Sequence, residues 1–389
     1  MSMINQNNTT EINISEGRAG EGDKKKILIF STAYLPLVGG AEIAVKEITD
    51  RLSQYNFDLI TARLKRNLPK EETMGSVRVY RVGFGFWGDK FLLIILGYFL
   101  AGKLQQKNSY SAIWAIMASY GGLTAVLFKK KYPKLPFLLT LQEGDNLDEV
   151  EAKTRVLGSL WRDIFKRADH VQCISNYLAV WAKKLGATNI SVVPNGVDTL
   201  LFTEIKEDKN NNYNLVTTSR LVRKNGVDLI IKALPLLPDQ VGLHIAGIGP
   251  EEANLKQLAS RLNVSNRVIF HGFIPYKRLP QFLATGRAFI RPSRSEGLGN
   301  SFLEAMAVGL PVVGTLVGGI VAFLINNQTG FVVKADSPED VAHLVKYILE
   351  PSHKVEIETV VRKAREQVEA KYTWTKVTTD MTKIFNTIV

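Results

Sequence analysis

Two glutamates separated by seven residues flank a glycine-rich stretch in the second half of the chain. The segment 291–314 reads RPSRSEGLGNSFLEAMAVGLPVVG, with Glu296 before the glycines and Glu304 after them. Gly297 and Gly299 would let a backbone approach a ligand closely, and the helix that follows would offer unpaired amides to an anion. Two carboxylates beside such a turn predict a site that grips hydroxyl groups next to a phosphate.

A structural interpretation of the same segment is equally open from the residues alone. Ser301 and Glu304 have the Ser-x-x-Glu spacing of a capping box, in which the glutamate accepts a hydrogen bond from a backbone N–H at the helix start. Under that interpretation Glu304 stabilises a helix and binds no ligand. The two interpretations differ in what the Glu304 carboxylate contacts.

A basic segment follows the first strand-like run of the second half. Arg220, Arg223 and Lys224 come shortly after the run at 215–218. Cations at the carboxyl end of a parallel strand suit a diphosphate, whose negative charge must be neutralised as the bond to it breaks. Basic residues on an exposed loop are also ordinary, so this segment alone does not define a site.

Short apolar runs alternate with helical patterns along the chain and would position these residues. The runs predicted as strands are 26–30, 57–60, 77–82, 112–117, 137–141, 170–174, 215–218, 243–246, 268–270, 289–290, 312–313 and 331–333. This alternation predicts an α/β fold with two doubly wound parallel sheets. Gly39 and Gly40 follow the first strand without the spacing of a dinucleotide fingerprint, and would turn backbone amides toward a ligand.

Composition limits the class of protein. The length of 389 residues predicts two domains of ordinary size, and the single cysteine, Cys173, excludes an internal disulfide framework and favours a cytoplasmic protein. Residues 1–23 are polar and contain no apolar leader segment, which predicts a disordered tail. The formal net charge is +12, but the basic clusters carry no interleaved aromatic residues, so nucleic-acid binding is not expected.

The longest uncharged apolar run covers residues 91–102 and is too short to span a bilayer. We expect a buried helix here. The alternative is a helix that lies in the interface of an anionic membrane, which would also attract the lysine clusters 24–26 and 129–131. In that case the protein would be peripheral on the cytoplasmic face of a membrane.

The Glu-x7-Glu spacing, with Gly-Leu-Gly-Asn inside it and Glu-Ala-Met at its end, resembles an element of retaining GT-B glycosyltransferases, especially family 4. The resemblance covers about residues 24–385 and includes the GGAE motif at 39–42 and the PNGVD motif at 194–198. It implies two Rossmann-like domains facing across a cleft. The implied division is a tail over 1–23, an acceptor domain over 24–203, a nucleotide-sugar domain over 204–370 and a helix over 371–389 that crosses back to the first domain.

The resemblance also implies a role for each site residue. Glu304 would hold the ribose hydroxyls, Glu296 would hold the hydroxyls of the donor sugar, and cations would stabilise the departing β-phosphate. The implied catalytic residues are Arg220, Lys224 and Glu296. The implied donor-binding residues are Gly39, Gly40, Gly272, Phe273, Ile274, Gly297, Leu298, Gly299, Asn300, Ser301 and Glu304. Gln142 and Glu143 would lie near the acceptor or the donor sugar.

Two positions depart from the family pattern. Gln142 stands where many members have a histidine, and glutamine cannot take up a proton. Asn225 precedes Gly226 where a lysine is common, so the lysine role is carried to Lys224, with Arg223 in reserve. A front-face mechanism does not need the histidine, because the departing phosphate can accept the proton of the acceptor hydroxyl.

The implied function is the transfer of a sugar from a nucleoside diphosphate to a hydroxyl of a glycan or lipid-linked acceptor, with retention. No cofactor and no metal ion are expected, because the sequence contains no Asp-x-Asp and protein cations would replace a metal clamp. Two alternatives remain. One is a nucleotide-sugar 2-epimerase of the same architecture, which needs no second substrate, and the other is a non-catalytic sugar-nucleotide binding protein.

Overall fold

In the computed structural model, the chain forms two units, each built on a β-sheet with helices on its faces. The structure describes residues 24–37, 39–205 and 213–389. The tail predicted over residues 1–23 lies outside these described residues. Within them, no helix combines the length and the apolar character needed to cross a bilayer.

The N-terminal sheet has eight strands in the described part of the chain. In chain order they are β1 (Lys25–Phe30), β2 (Tyr55–Ala62), β3 (Glu71–Met74), β4 (Val77–Val82), β5 (Ala112–Ile116), β6 (Phe137–Leu141), β7 (His170–Cys173) and β8 (Ile190–Val192). Their spatial order is β3-β4-β2-β1-β5-β6-β7-β8, and every pairing is parallel except β3 with β4. The central strands β5 and β6 are buried at every position because helices cover both faces of the sheet.

Helices connect these strands. They are α1 (Gly40–Arg51), α2 (Asp89–Leu92), a π-helical turn (Leu93–Gly97), α3 (Tyr98–Asn108), α4 (Tyr120–Lys131), α5 (Leu147–Thr154), the 3-10 turn Arg155–Leu157, α6 (Gly158–Lys166) and α7 (Asn176–Lys184). From α2 to α3 the helical backbone continues without a gap.

The helix expected to be buried over residues 91–102 is only half covered, so that expectation is wrong. Leu93 and Ala101 are fully buried against the N-terminal core, whereas Phe91, Ile95 and Phe99 are 50%, 58% and 61% exposed. Because the segment is apolar on all its faces, the sequence pattern does not indicate that only one face packs against the sheet. The opposite face is a surface of the protein.

The C-terminal sheet has six parallel strands among the described residues. They are β9 (Asn214–Thr218), β10 (Gly242–Ala246), β11 (Val268–Gly272), β12 (Ala288–Arg291), β13 (Val312–Gly314) and β14 (Phe331–Val332). Their spatial order is β11-β10-β9-β12-β13-β14. The chain reverses direction across the sheet between β9 and β12, and such a switch point is where open α/β sheets bind ligands at the carboxyl ends of their strands.

Helices connect the strands of this second unit as well, so the predicted α/β fold with two doubly wound parallel sheets is confirmed. The helices are α8 (Val227–Ala233), α9 (Glu252–Arg261), α10 (Leu279–Ala284), α11 (Asn300–Val308), α12 (Pro338–Leu349) and α13 (Lys354–Lys371), with 3-10 turns at Arg223–Asn225, Leu234–Leu236, Ser265–Arg267, Tyr276–Arg278, Gly318–Ala322 and Pro351–His353. The two doubly wound sheets face each other across a crevice between their loops.

A last helix, α14 (Trp374–Ile388), returns to the N-terminal unit. Its apolar face joins the core beneath β1, β2 and β5, where Phe385 lies edge-on to Trp114 with ring centroids 5.4 Å apart. Val197 and Thr373 pair as an isolated bridge where the chain passes between the units. The N-terminal core is therefore built from both ends of the described chain.

Candidate active site

The glycine-rich turn connects β12 to α11 and sets where that helix begins. Gly299 is the N-cap of α11 with φ of 93°, and Gly309 ends the helix with φ of 85°. Both values lie in the left-handed region, which favours glycine. Ser301 lies inside the helix, where its Oγ accepts a hydrogen bond from Arg291 Nη1, and no side chain caps the helix start. The capping-box interpretation of Ser301 and Glu304 is therefore wrong.

Glycine is required at 297 because the two lobes touch there. A Cβ built on Gly297 would lie 2.3 Å from the carbonyl oxygen of Glu143, across the crevice. Behind the turn, Gly318 has φ of 55°, and a Cβ there would lie 1.8 Å from the carbonyl oxygen of Glu296. The turn is thus held between the N-terminal lobe and the 3-10 turn that starts at Gly318. Leu298, within the turn, is 2% exposed.

Glu296 is fixed by an ion pair inside the C-terminal lobe. Its Oε1 pairs with Arg291 Nη2 and accepts a hydrogen bond from Ser293 Oγ at 3.3 Å. Arg291 and Glu296 are only 9% and 7% exposed. Arg291 Nη2 also donates to Asn225 Oδ1 at 2.9 Å, so one guanidinium orders the turn, the basic segment and the start of α11.

The basic segment points one lysine at the opposite lobe. Lys224 Nζ lies 2.9 Å from Asp145 Oδ1, whereas Arg223 is exposed and its carbonyl oxygen binds Arg294. Asn225 is buried and donates to the carbonyl oxygen of Arg220 at 2.6 Å, which fixes the loop. Of the two candidates, Lys224 is therefore the one that reaches the crevice.

Three cations act on the carboxyl group of Asp145. Burial raises the pKa of this carboxyl, but the hydrogen bond and charge of Lys224, together with the charges of Lys153 and Arg220, outweigh burial and leave the pKa below its ordinary value. Asp145 is therefore an anion that is paired with Lys224 in the crevice. Its Oδ1 makes the same kind of contact with Lys224 Nζ that a phosphate oxygen of a ligand would make.

An amide relay joins the lobes beside this ion pair. Asn195 Nδ2 donates to Gln142 Oε1 at 2.9 Å and lies 3.5 Å from Asn300 Oδ1. Asn195 is 3% exposed. On the same side, a Cβ built on Gly40 would lie 3.5 Å from Asn300 Nδ2, so the first glycine loop faces the start of α11. Gly39 is the N-cap of α1.

Glu143 has a carboxyl group buried at the end of β6. Its Oε1 accepts a hydrogen bond from Ala118 N at 2.7 Å, while its Oε2 has no partner among the described residues. Burial raises the pKa of Glu143 to about 7 because the charged form loses its water. The group therefore titrates near neutral pH.

Glu304 lies one turn into α11 and is partly exposed. Burial raises its pKa to about 7, although the charge of Arg291 opposes the shift. In the part of the chain that the structure describes, its carboxylate has no hydrogen-bond partner of its own. A carboxylate left without an internal partner can accept hydrogen bonds from a ligand.

Replacing Glu143 by glutamine is expected to flatten the pH dependence of stability. The unfolded chain loses this proton near pH 4.5 and the native state near pH 7, so wild-type stability falls as pH rises through that window. The loss is up to about 3 kcal/mol. Urea unfolding at pH 4.5 to 7.5 measures it, with exposed Glu358→Gln as the matched control. An equal slope in wild type and Glu143→Gln would contradict the assignment.

The remaining predicted donor residues lie at the carboxyl end of β11. Gly272 has φ of 67° and accepts a hydrogen bond at its carbonyl from Gly247 N at 2.7 Å. Phe273 is 57% exposed, and Ile274 is packed against the core. These residues lie along the same edge of the C-terminal sheet as Arg220, two strands away.

Three residues acquire a place in the site that the sequence did not assign. Arg291 ends a strand five positions before Glu296, and a cation so close to the turn was the available signal. Asp145 was visible only as part of Glu-Gly-Asp after β6, and Asn195 only as half of an Asn-Gly turn signal. Their partners are far away in sequence, so spacing could not reveal them.

The residues that the structure describes contain no group of three or more His, Cys, Asp or Glu side chains placed to hold an ion. Arg220 and Lys224 on one side of the crevice and Asp145 on the other are among its charged groups.

Comparison with known families identifies the class. Residues 202–367 match the model described as glycosyl transferases group 1, and residues 38–200 match the model described as glycosyltransferase family 4. Together the two matches span both lobes. The protein is therefore a glycosyltransferase of GT-B fold.

More particularly, the chain belongs to the group 1 glycosyltransferases with a family 4 N-terminal domain. A mannosyltransferase of Mycobacterium tuberculosis, named as GDP-mannose-dependent and acting on phosphatidylinositol monomannoside, is 34% identical over 50% of this chain and 56% of its own length. These matches to transferases do not favour the epimerase or the non-catalytic binding protein.

Two solved structures share the fold. Sucrose-phosphate synthase from Thermosynechococcus elongatus has a TM-score of 0.84 at 21% identity, covering 94% of this chain and 99% of its own. The Anabaena protein HepE, solved with UDP and glucose, has a TM-score of 0.76 at 20% identity, covering 93% and 100%. At these identities the likeness establishes the fold.

Proposed function

We propose that this enzyme transfers a sugar from a nucleoside diphosphate to a hydroxyl of a lipid-linked acceptor, with retention and without a metal ion. The observation that carries the proposal is the pairing of Lys224 with Asp145 across the crevice at 2.9 Å. The Asp145 carboxylate lies at a place in the crevice where Lys224 stabilises a negative charge. The diphosphate would take that place when the donor binds.

The proposed reaction breaks the bond between the anomeric carbon and the β-phosphate oxygen. The electron pair stays with the phosphate, and Lys224 and Arg220 stabilise its charge as the sugar becomes oxocarbenium-like. The acceptor oxygen forms its bond to the anomeric carbon on the same face, and its proton passes to the departing phosphate oxygen. No side-chain base is needed, which accommodates Gln142 where relatives of this family carry histidine.

The carboxylates would orient the donor. Glu304, which lacks an internal hydrogen-bond partner in the described chain, would accept hydrogen bonds from the ribose hydroxyls. Glu296, fixed by Arg291, would present its remaining oxygen to the hydroxyls of the sugar. Amides of residues 297–300 would face the diphosphate from the start of α11.

The comparisons support a donor class and an acceptor class. One relative is named for GDP-mannose and one fold neighbour was solved with UDP, so the proposal covers nucleoside-diphosphate sugars. The same relative is named for a glycosylated phosphatidylinositol, which supports a lipid-linked acceptor.

A panel of UDP-, GDP- and ADP-sugars tests the proposal. One donor is expected to raise the melting temperature, since a ligand that binds only the native state stabilises it. With a lipid-linked glycan added, that donor should yield a product whose anomeric configuration, read by NMR, matches the donor. Turnover should be unchanged in EDTA.

Other outcomes would replace the proposal by a named alternative. Product that forms without any acceptor would identify a 2-epimerase. Donor binding without transfer or donor hydrolysis would identify a binding protein. An inverted anomer would exclude the front-face reaction, and complete loss of turnover in EDTA would exclude metal independence.

A further inference from the structure

Seven large apolar side chains form one exposed surface on the N-terminal lobe. They belong to the loop between β4 and α2 and to the outer face of the helix from α2 to α3. We call them the apolar face: Phe84, Phe86, Trp87, Phe91, Ile95, Leu96 and Phe99. Their exposed fractions run from 37% for Leu96 to 71% for Phe84. The rings of Trp87 and Phe91 have centroids 6.2 Å apart, and Phe91, Ile95 and Phe99 follow one another at four-residue spacing along the helical segment. Exposed apolar side chains grouped in this way mark a site of contact with another apolar body.

The loop that carries three of these aromatics is held in a defined shape. Asp89 is fully buried, and its Oδ2 accepts hydrogen bonds from Gly85 N at 2.6 Å and Phe86 N at 3.4 Å. Gly83 and Gly85 have φ of 112° and 98°, which a residue with a side chain rarely adopts. A buried carboxyl and two glycines thus keep Phe84, Phe86 and Trp87 turned outward.

Positive charge borders the apolar face. Asp89 is the one acidic residue in the segment 83–108, all of which is described, and it points inward. Five basic residues belong to these segments or lie beside them. Lys90 is on α2, Lys103 and Lys107 are on α3, and Arg66, which follows Lys65, has its Cα next to Gly85 of the loop. Among the described residues none of these five is paired with a carboxylate, and Lys90 Nζ lies 4.9 Å from the centre of the Trp87 ring.

The apolar face adjoins the crevice next to Glu143. The Phe91 ring meets the Tyr120 ring edge-on, with centroids 5.1 Å apart, at the first residue of α4. Two residues earlier, Ala118 N donates to Glu143 Oε1. An acceptor held at the apolar face would therefore be a short distance from Glu143.

We infer that the apolar face inserts into the interface of a membrane containing anionic lipids, and that the acceptor enters the crevice from that membrane. Tryptophan favours the headgroup region, phenylalanine and the aliphatic side chains are buried at the boundary with the acyl chains, and lysines around them attract anionic lipid. A second copy of the chain fits less well, because a symmetric contact would bring the same five cations together. The entry of the acceptor rests on the proposed function, whereas membrane insertion does not.

Trp87 is a built-in reporter of this contact. It is 69% exposed, while the other four tryptophans, Trp114, Trp161, Trp181 and Trp374, are at most 4% exposed. Vesicles of phosphatidylcholine with phosphatidylglycerol are expected to bind the full-length protein at low salt and to shift its tryptophan emission to the blue. Vesicles of phosphatidylcholine alone should bind far less.

Variants separate this surface from others. Phe84→Ser with Trp87→Ser is expected to weaken co-sedimentation with anionic vesicles by at least about tenfold, since two apolar anchors are lost. Val355→Ser, which removes a side chain 76% exposed on α13, is the matched control and should bind as wild type. Both variants should keep the wild-type melting temperature, because the replaced side chains are exposed.

Three results would overturn the inference. They are failure of the wild type to bind anionic vesicles, equal binding by the double variant, and wild-type self-association that the double variant loses, which would assign the face to a second copy. The proposed function is tested separately by donor hydrolysis in the absence of vesicles. Vesicle binding without any reaction of a nucleotide sugar would leave the surface in place and remove the proposed function.

Discussion

Lys224→Ala is expected to lower kcat for sugar transfer by about 10²–10³-fold, the usual effect of removing one group that stabilises transition-state charge. Its Nζ lies in the crevice 2.9 Å from Asp145 on the opposite lobe. Alanine would leave the departing phosphate with Arg220 alone among the proposed cations. Steady-state kinetics at saturating acceptor, with kcat and KM for the donor determined separately, measure the effect.

Arg223→Ala is the matched control for this prediction. It removes a positive charge from the neighbouring position, but Arg223 is exposed and meets the rest of the protein through its carbonyl oxygen. Its kcat is expected to stay within about threefold of wild type, since surface charges away from the reacting atoms contribute little. A larger loss in Arg223→Ala than in Lys224→Ala would reverse the two assignments.

Arg291→Met is expected to destabilise the native state by about 3–5 kcal/mol, the cost of leaving one partner of a buried ion pair uncompensated. The Glu296 carboxylate would lose its counter-ion while remaining 7% exposed. Ser301 Oγ and Asn225 Oδ1 would lose their hydrogen-bond donors in the same step. Equilibrium urea unfolding measures the free energy, and the midpoint should fall.

The double variant Arg291→Met with Glu296→Gln shows whether the charge is responsible. Neutralising both partners removes the buried unpaired carboxylate, so the double variant should be more stable than Arg291→Met alone. It should nevertheless be impaired in transfer, because the proposed contact of Glu296 with the donor sugar is changed. Equal stability of the single and double variants would mean that packing, not charge, explains the loss.

The strands with many buried residues could be predicted from the sequence because apolar and β-branched residues predominate in them. Val77–Val82 and Phe137–Leu141 were predicted with the bounds that the structure has. β3 (Glu71–Met74) and β8 (Ile190–Val192) were missed, since both are short edge strands with polar or partly exposed residues. An edge strand is defined by the neighbour it pairs with, and that neighbour is not visible in a local pattern.

The site could be predicted as residue types, but its internal contacts could not. The choice between Lys224 and Arg223 depends on which one faces Asp145, a residue from the other lobe. The capping-box interpretation failed because Arg291, ten positions earlier, binds Ser301 Oγ. The apolar run at 91–102 was assigned to the wrong environment because only the packed structure decides which face of a helix meets solvent.

The return of α14 to the N-terminal lobe affects how the chain is made. Trp374, Met381 and Phe385 complete a core to which α1 and the strands β1, β2, β4 and β5 also contribute. During translation, the part of the N-terminal core that α14 covers stays exposed as a hydrophobic groove until the entire second lobe has been synthesised. A fragment cut at the domain boundary would keep that groove open and would be prone to aggregation or chaperone capture. The two lobes are separate in architecture yet finish folding together.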